Sequence, residues 1–195
     1  MILALDLSLK STGYAKFTLD GKLVEKGVIA PDKKLDNYFK INFITRRIEE
    51  LLEGVDEVAI EDLYLGTNFA GIRNLAKLSG AVINSWINRK YKKPYTYMAS
   101  RARKLIGISG SAQKIEIQLW VGEKYKFCKP TIITNYLKDI DTLKIQFKEK
   151  QMKKTKYKYQ MTKLSKQFEK ETGLGNDVAD AIVVGLAYVE DTCQN

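Results

Sequence analysis

Four carboxylates at three separated places, in a chain without a histidine, are the residues whose types and spacing can do chemistry. Asp6 ends the apolar run Ile2-Leu3-Ala4-Leu5 and Glu61 ends Val58-Ala59-Ile60, while Asp177 and Asp180 open an apolar stretch through Val178, Ala179 and Ala181. Oxygen-only ligands at the ends of buried elements suit hard divalent cations, Mg²⁺ or Mn²⁺. Two such ions, roughly 3.5–4 Å apart in known sites, hydrolyse phosphodiesters without a histidine base, one activating water and the other stabilising the leaving 3′ oxygen. Asp177 and Asp180, three positions apart, share one face of a helix. Like charges that close repel, and one pKa rises unless a cation or a donor compensates. Taken singly, each acid has an ordinary role: first-turn acids complement the helix dipole, and an aspartate often closes a strand. Occurring jointly where a sheet and a helix converge, they favour a site.

The elements that must position them can be read along the chain. Residues 2–8 form a buried strand, a second strand runs from Tyr14 to Leu19, and Asp20-Gly21 is a hairpin signal leading to a third, from Lys22 to Ala30. Tyr38, Ile41, Ile44, Ile48, Leu51 and Leu52 recur at helical spacing between Leu35 and Leu52, and Gly54 stops that helix. Val55–Ile60 is a strand. A long helix follows, marked by Ile72, Leu75, Leu78, Val82, Ile83 and Trp86, in which Gly71, Ala76, Gly80 and Ala81 permit close packing. Pro94–Met98 reads as a fifth strand, with Ser100 capping a helix to Ile106 and Ser111 capping another through Lys114, Ile115, Leu119 and Val121. Strands, then strands alternating with helices, imply an α/β domain with a mixed sheet and helices on its faces.

Bulk properties narrow the partner. Across 195 residues, 33 Lys and Arg against 23 Asp and Glu leave a net charge of +10, which favours a polyanion and, first among polyanions, nucleic acid. A hydrophobic content of 45% fits one domain with a sizeable core over residues 1–195. No apolar stretch approaches the roughly 20 residues of a membrane span, and the first strand reaches Asp6 too early for a signal peptide, so a cytoplasmic protein is expected. Cys128 and Cys193 form no framework and no C-x-x-C pair.

At the level of motifs, Ile2–Asp6 with Ser11-Thr12-Gly13-Tyr14-Ala15, then Ile60-Glu61-Asp62-Leu63-Tyr64, then Gly107-Ile108-Ser109-Gly110-Ser111-Ala112-Gln113-Lys114, and finally Asp177–Ala181 resemble the RuvC family of Holliday junction resolvases over most of the chain. The resemblance implies a ribonuclease H-like fold with a mixed five-stranded sheet and helices on both faces, a homodimer, and paired Mg²⁺-dependent nicks across a four-way DNA junction. It places Asp6, Glu61, Asp177 and Asp180 as metal-binding acids, Lys114 as a lysine approaching the scissile phosphate, and Tyr64 as an aromatic stacking at the junction centre. Two departures, Leu7-Ser8 where bacterial members carry Pro-Gly and a longer connection between Val121 and Asp177, point to a divergent, phage-type branch acting in the host cytoplasm. Cut-site preference and a branch-migration partner do not carry over.

That longer connection is a lysine-rich insertion at about 124–172. Between Lys144 and Lys170, ten lysines face only Glu149 and Glu169, interleaved with Phe147, Tyr157 and Tyr159. The run reads as a phosphate-tracking surface, with Lys153, Lys154, Lys156 and Lys158 as its densest part; a solubilising face is the plain alternative. Met161, Leu164 and Phe168 mark a helix from Met161 to Lys170 with lysines outward. Lysine in place of arginine implies contact with phosphates more than base reading. Three rivals stand beside the resolvase. A sugar-kinase or actin-like ATPase needs two related domains, and a non-catalytic DNA architectural protein needs no acid quartet. A broader nuclease of three-way branches and forks shares every feature above. For the dimer, the helix from Thr67 to Arg89 is the candidate interface, with burial against its own sheet as the alternative.

Overall fold

The structure, a computed structural model, describes residues 1–63 and 69–193. Its strands are β1 (Ile2–Asp6), β2 (Thr12–Phe17), β3 (Leu23–Ile29), β4 (Glu57–Glu61) and β5 (Tyr95–Tyr97). They form one sheet in the order β3-β2-β1-β4-β5, antiparallel from β3 to β1 and parallel from β1 to β5. The helices are α1 (Asn37–Leu51), α2 (Phe69–Lys90), α3 (Ala99–Leu105), α4 (Lys114–Lys124), α5 (Pro130–Lys148), α6 (Lys154–Thr172) and α7 (Asn176–Cys193).

β1 is apolar without alternation because both of its faces are covered. Leu3 and Leu5, with Val58 and Ile60 of β4, meet Ile44 and Ile48 of α1 and Leu78, Val82 and Trp86 of α2. Ile2 and Ala4, with Ala15, Phe17 and Ala59, meet α7 together with buried residues of α4 and α6. The small side chains on this second face matter. A Cβ on Gly185 of α7 would lie 2.2 Å from the Phe17 ring and 3.0 Å from Ala4 Cβ, so α7 rests directly on the sheet.

Local details depart from the sequence reading. β1 stops at Asp6 and β2 begins at Thr12, because Ser8 and Thr12 close the intervening loop by exchanging hydrogen bonds of 3.1 and 2.9 Å. Asp36, not Leu35, starts α1 by accepting the Tyr38 N–H at 2.8 Å. Tyr38 itself is exposed on that helix, its ring under the Lys77 ammonium, so it does not belong to the buried stripe. Ser100 lies inside α3, which begins after Met98, and Ser111 lies in the turn that Ala112 N–H closes on Ser109 C=O; neither caps a helix. α4 starts later, where the Glu116 carboxylate accepts the Gln113 N–H at 2.7 Å. In α2, Ala76 and Gly80 face outward, and nothing lies within 4 Å of a Cβ built on Gly80. Among the described residues, the close packing expected of Gly80 is therefore not made. Thr67 and Tyr64 fall outside the described residues.

The lysine-rich segment folds as two consecutive helices, α5 and α6, and α6 begins seven residues before the expected Met161. Met161, Ser165 and Phe168 are its buried face, with Leu164 packed beside them. Gly173, at φ 73°, ends α6 in the left-handed conformation that glycine adopts without strain.

Candidate active site

β1 and β4 are parallel neighbours in which Leu5 pairs with Ile60, so Asp6 and Glu61 emerge side by side at the same end of the sheet. Across β1, Asp6 pairs with Gly13 of β2. A Cβ on Gly13 would sit 1.9 Å from the Asp177 carbonyl oxygen and 2.2 Å from its carbonyl carbon. Only glycine lets the first turn of α7 pass so near the strand, and that passage carries Asp177 and Asp180 to the two strand-end acids. Ser11, two residues earlier, donates a short hydrogen bond to the Asp177 carboxylate. In Ser11-Thr12-Gly13, then, the serine holds Asp177, the threonine closes the loop, and the glycine admits the helix.

The acids interact strongly. Burial pushes Asp6 up to about 9, helped by the charges of Glu61, Asp180 and Asp177 and opposed by Lys114. Burial likewise pushes Glu61 up to about 7, with Asp180 adding to the rise and Arg103 and Lys114 opposing it. Asp180 is raised too, because desolvation outweighs the attraction of Arg103 and Lys114. Its partner in the structure is Arg103 of α3, whose guanidinium donates to Asp180 at 3.4 Å and to the Ala112 carbonyl at 3.3 Å. Lys114, the first residue of α4, is exposed, yet its charge reaches Asp6, Glu61 and Asp180.

The structure therefore brings Asp6, Glu61, Asp180 and Lys114 together, with Asp177 adjoining. Among the described residues no three acids already close into a coordination cage. The donor set nonetheless fits a hard divalent cation: the candidate donors are all oxygen, and the negative charge of Asp6, Glu61 and Asp180 is disfavoured unless a cation compensates it. Arg103 and Ser11 escaped the sequence reading. Of Arg101, Arg103 and Lys104, only a folded α3 shows which turns inward; Arg103 is mostly buried, whereas Arg101 is mostly exposed. Lys153, Lys154, Lys156 and Lys158 are exposed on or beside α6 and do not join the acids. Tyr64 lies outside the described residues.

A stability prediction follows from the raised acids. Asp6 and Glu61 release protons near 3.8 and 4.5 when unfolded but hold them to about 9 and about 7 when folded. Between those limits the folded state binds more protons, so stability is fully present below about pH 4 and is lost as pH rises through 7 toward 9. In a chelator, Asp6→Asn removes the larger part of this loss. Its melting temperature at pH 8 is expected to exceed wild type by roughly 5 °C, the effect of about 2 kcal/mol in a chain of this length. Melting curves from pH 5 to 9 check it, and identical slopes for the two proteins would reject the electrostatic account.

A model of the family described as "Crossover junction endodeoxyribonuclease RuvC" matches residues 2–132. The chain belongs to the RuvC family. Curated relatives of that name include one from Orientia tsutsugamushi, 28% identical over 127 residues, spanning 62% of this chain and 79% of the relative. Another, from Sulfurovum sp., is 29% identical over 132 residues, spanning 62% of this chain and 77% of its own. Among solved structures, Thermus thermophilus RuvC superposes with a TM-score of 0.60 over 99% of this chain and 95% of that one, at 14% identity. The T. thermophilus RuvC structure in complex with a Holliday junction substrate superposes with the same TM-score at 11% identity, over 100% of this chain and 95% of that one. The likeness shows the fold, the ribonuclease H-like mixed sheet with helices on both faces. Asp6, Glu61, Arg103 and Lys114 lie within the matched RuvC segment, whereas Asp177 and Asp180 lie beyond it and reach the site through α7.

Proposed function

We propose that this RuvC-family chain is a structure-selective endodeoxyribonuclease that resolves four-way DNA junctions by paired nicks, using divalent ions held by Asp6, Glu61, Asp177 and Asp180. One observation carries the reading: strand-end acids from β1 and β4 and an acid from α7 converge closely enough to shift one another's protonation, beside the cations Lys114 and Arg103. Mg²⁺ or Mn²⁺, two per site, would supply Lewis acidity for water attack on the phosphodiester and for the leaving oxygen. The chain's own residues do the rest. Ser11 and Arg103 orient Asp177 and Asp180. Lys114, exposed at the helix start beside the acids, meets the scissile phosphate as a point charge.

Two cuts related by the two-fold symmetry of a junction need two sites, which supports a homodimer. The outward Ala76 and Gly80 on α2 offer a close-approach surface for it. We place the action in the cytoplasm, the host's if the chain is phage-encoded; among the described residues no helix is long and apolar enough to cross a membrane. The test is incubation with four-way, three-way, fork and linear duplex DNA, with and without Mg²⁺, followed by mapping of the nicks. Symmetric Mg²⁺-dependent nicks confined to the four-way substrate are expected. Equal cutting of three-way branches and forks would move the assignment to a broader branched-DNA nuclease.

A further inference from the structure

The lysines of α6 are densest in sequence at its start, but the helix sorts them differently. Met161, Ser165 and Phe168 fix the buried face. Directly opposite, at spacings of three and four, stand Lys156, Tyr159, Lys163, Lys166 and Lys170, all exposed, with Tyr159 at 67%. Fourteen steps of about 1.5 Å, from Lys156 to Lys170, make a straight row roughly 21 Å long. Among the described residues none of its four ammonium groups is in an ion pair, whereas Lys144, on α5, is bound to Glu116 at 2.5 Å. Lys154, seven residues before Met161, lies on the side of the buried face, and Lys158 turns toward its flank, both away from this row.

The row lies beyond residue 132, where the family match ends. It is also joined to the acids. α6 leads through Gly173, Leu174 and Gly175 into α7, Ser165 hydrogen-bonds the Asn176 side chain at 3.0 Å, and the buried Gln118 of α4 holds the Leu174 carbonyl at 2.8 Å. The body of α6 is therefore held one short, pinned turn from Asp177, with the row on its opposite, outer side.

We infer that Lys156, Lys163, Lys166 and Lys170, with Tyr159 among them, form a second DNA-contact surface that tracks the phosphates of one duplex arm away from the cut. The chemistry fits a regular polyanion: point charges in a line, with no arginine for base edges and a length that spans several phosphates of one strand. It rests on the reading of the chain as a branched-DNA nuclease, and it assigns arm binding to α6 while leaving bond cleavage to the acids.

The experiment compares wild type with a variant carrying Lys156→Ala, Lys163→Ala, Lys166→Ala and Lys170→Ala, and with a control carrying Lys153→Ala, Lys154→Ala and Lys158→Ala. Binding to a four-way junction is measured by anisotropy from 50 to 200 mM salt, and cleavage under single-turnover conditions at saturating protein. Each phosphate contact given up lowers the log–log salt slope by about 0.9, so the fourfold variant loses up to about two orders of magnitude of the salt-dependent fall in affinity. The control flattens the slope less, and saturated cleavage stays within about twofold of wild type. An unchanged slope in the fourfold variant, with wild-type melting temperature, overturns the assignment. So does an equal or larger loss in the control, or loss of binding to anionic lipid vesicles with junction binding intact. If wild type binds junctions through this row yet cuts no branched DNA, the row stands and the nuclease reading falls.

Discussion

Asp6→Asn and Glu61→Gln are each expected to slow cleavage of a four-way junction by about a thousandfold or more, with binding within about threefold of wild type. Both variants keep the shape of the side chain and remove its charge, so lost activity reports charge and not packing. Asp6 and Glu61 emerge from adjacent parallel strands, and their apolar neighbours Leu5 and Ile60 are fully buried, which leaves the amides no reason to disturb the sheet. Binding is expected to persist because the lysine surface proposed to hold DNA lies on α6, outside the strands that carry these two acids. The same substitutions are expected to stabilise the metal-free protein at pH 8, since folded wild type must hold a proton on Asp6 and a buried charge on Glu61, and the amides need neither. Loss of activity together with gain of stability separates this site from an ordinary structural acid, whose removal lowers both. Single-turnover cleavage with matched melting curves is the measurement, and cleavage retained above one-tenth of wild type in either variant would falsify the role of that acid.

Gly13→Ala is the second large effect, and it acts without touching an acid. Its new methyl would be placed 1.9 Å from the Asp177 carbonyl oxygen, inside any tolerated contact, and the obstacle is backbone that cannot rotate aside. Either β2 or the first turn of α7 must move. Overpacking of this kind costs about 1–3 kcal/mol, a fall of roughly 3–10 °C in melting temperature at this length. Cleavage is expected to fall by at least about a hundredfold in the fraction that still folds, because a displacement of about 1 Å of Asp177 and Asp180 relative to Asp6 spoils positioning. Thermal unfolding and cleavage at about 20 °C, below the melting transition of an ordinary mesophile domain, test both halves. A variant with wild-type melting and wild-type cleavage would show that α7 does not pack on Gly13 as described.

Much of the scaffold was legible because strong local patterns were not in competition. The Asp20-Gly21 hairpin holds, with Gly21 at φ 84° and Gly21 N–H bonded to Thr18 C=O at 3.0 Å. β4, the periodic α2 and the mostly apolar α7 also form where their patterns place them, and β1 does so as far as Asp6. The failures cluster where the outcome depends on distant partners. Ser100 and Ser111 have good capping side chains, but the helices begin elsewhere: the Met98 carbonyl accepts the Arg101 and Ala102 amides, while the Ser109 carbonyl and the Glu116 carboxylate claim those of Ala112 and Gln113. Tyr38 fits a helical apolar period yet points outward, since α2 offers it Lys77 and no cavity.

For the candidate site, residue type and position at the ends of apolar runs were enough to propose Asp6, Glu61, Asp177 and Asp180, because buried strands ending in acids leave a chemical signature in one dimension. What the acids do to each other was not legible. Raised protonation of Asp6 and Glu61, the hold of Arg103 on Asp180, and the hold of Ser11 on Asp177 all depend on distances between segments up to 166 residues apart in the chain. The lysines show the same division. Sequence alone determined that this protein carries an excess of lysine ahead of its last helix and four oxygen-donor acids at element ends. Only the tertiary structure decided which lysines share a face and which acids share a site, because charge and burial act through space while periodicity acts along the chain.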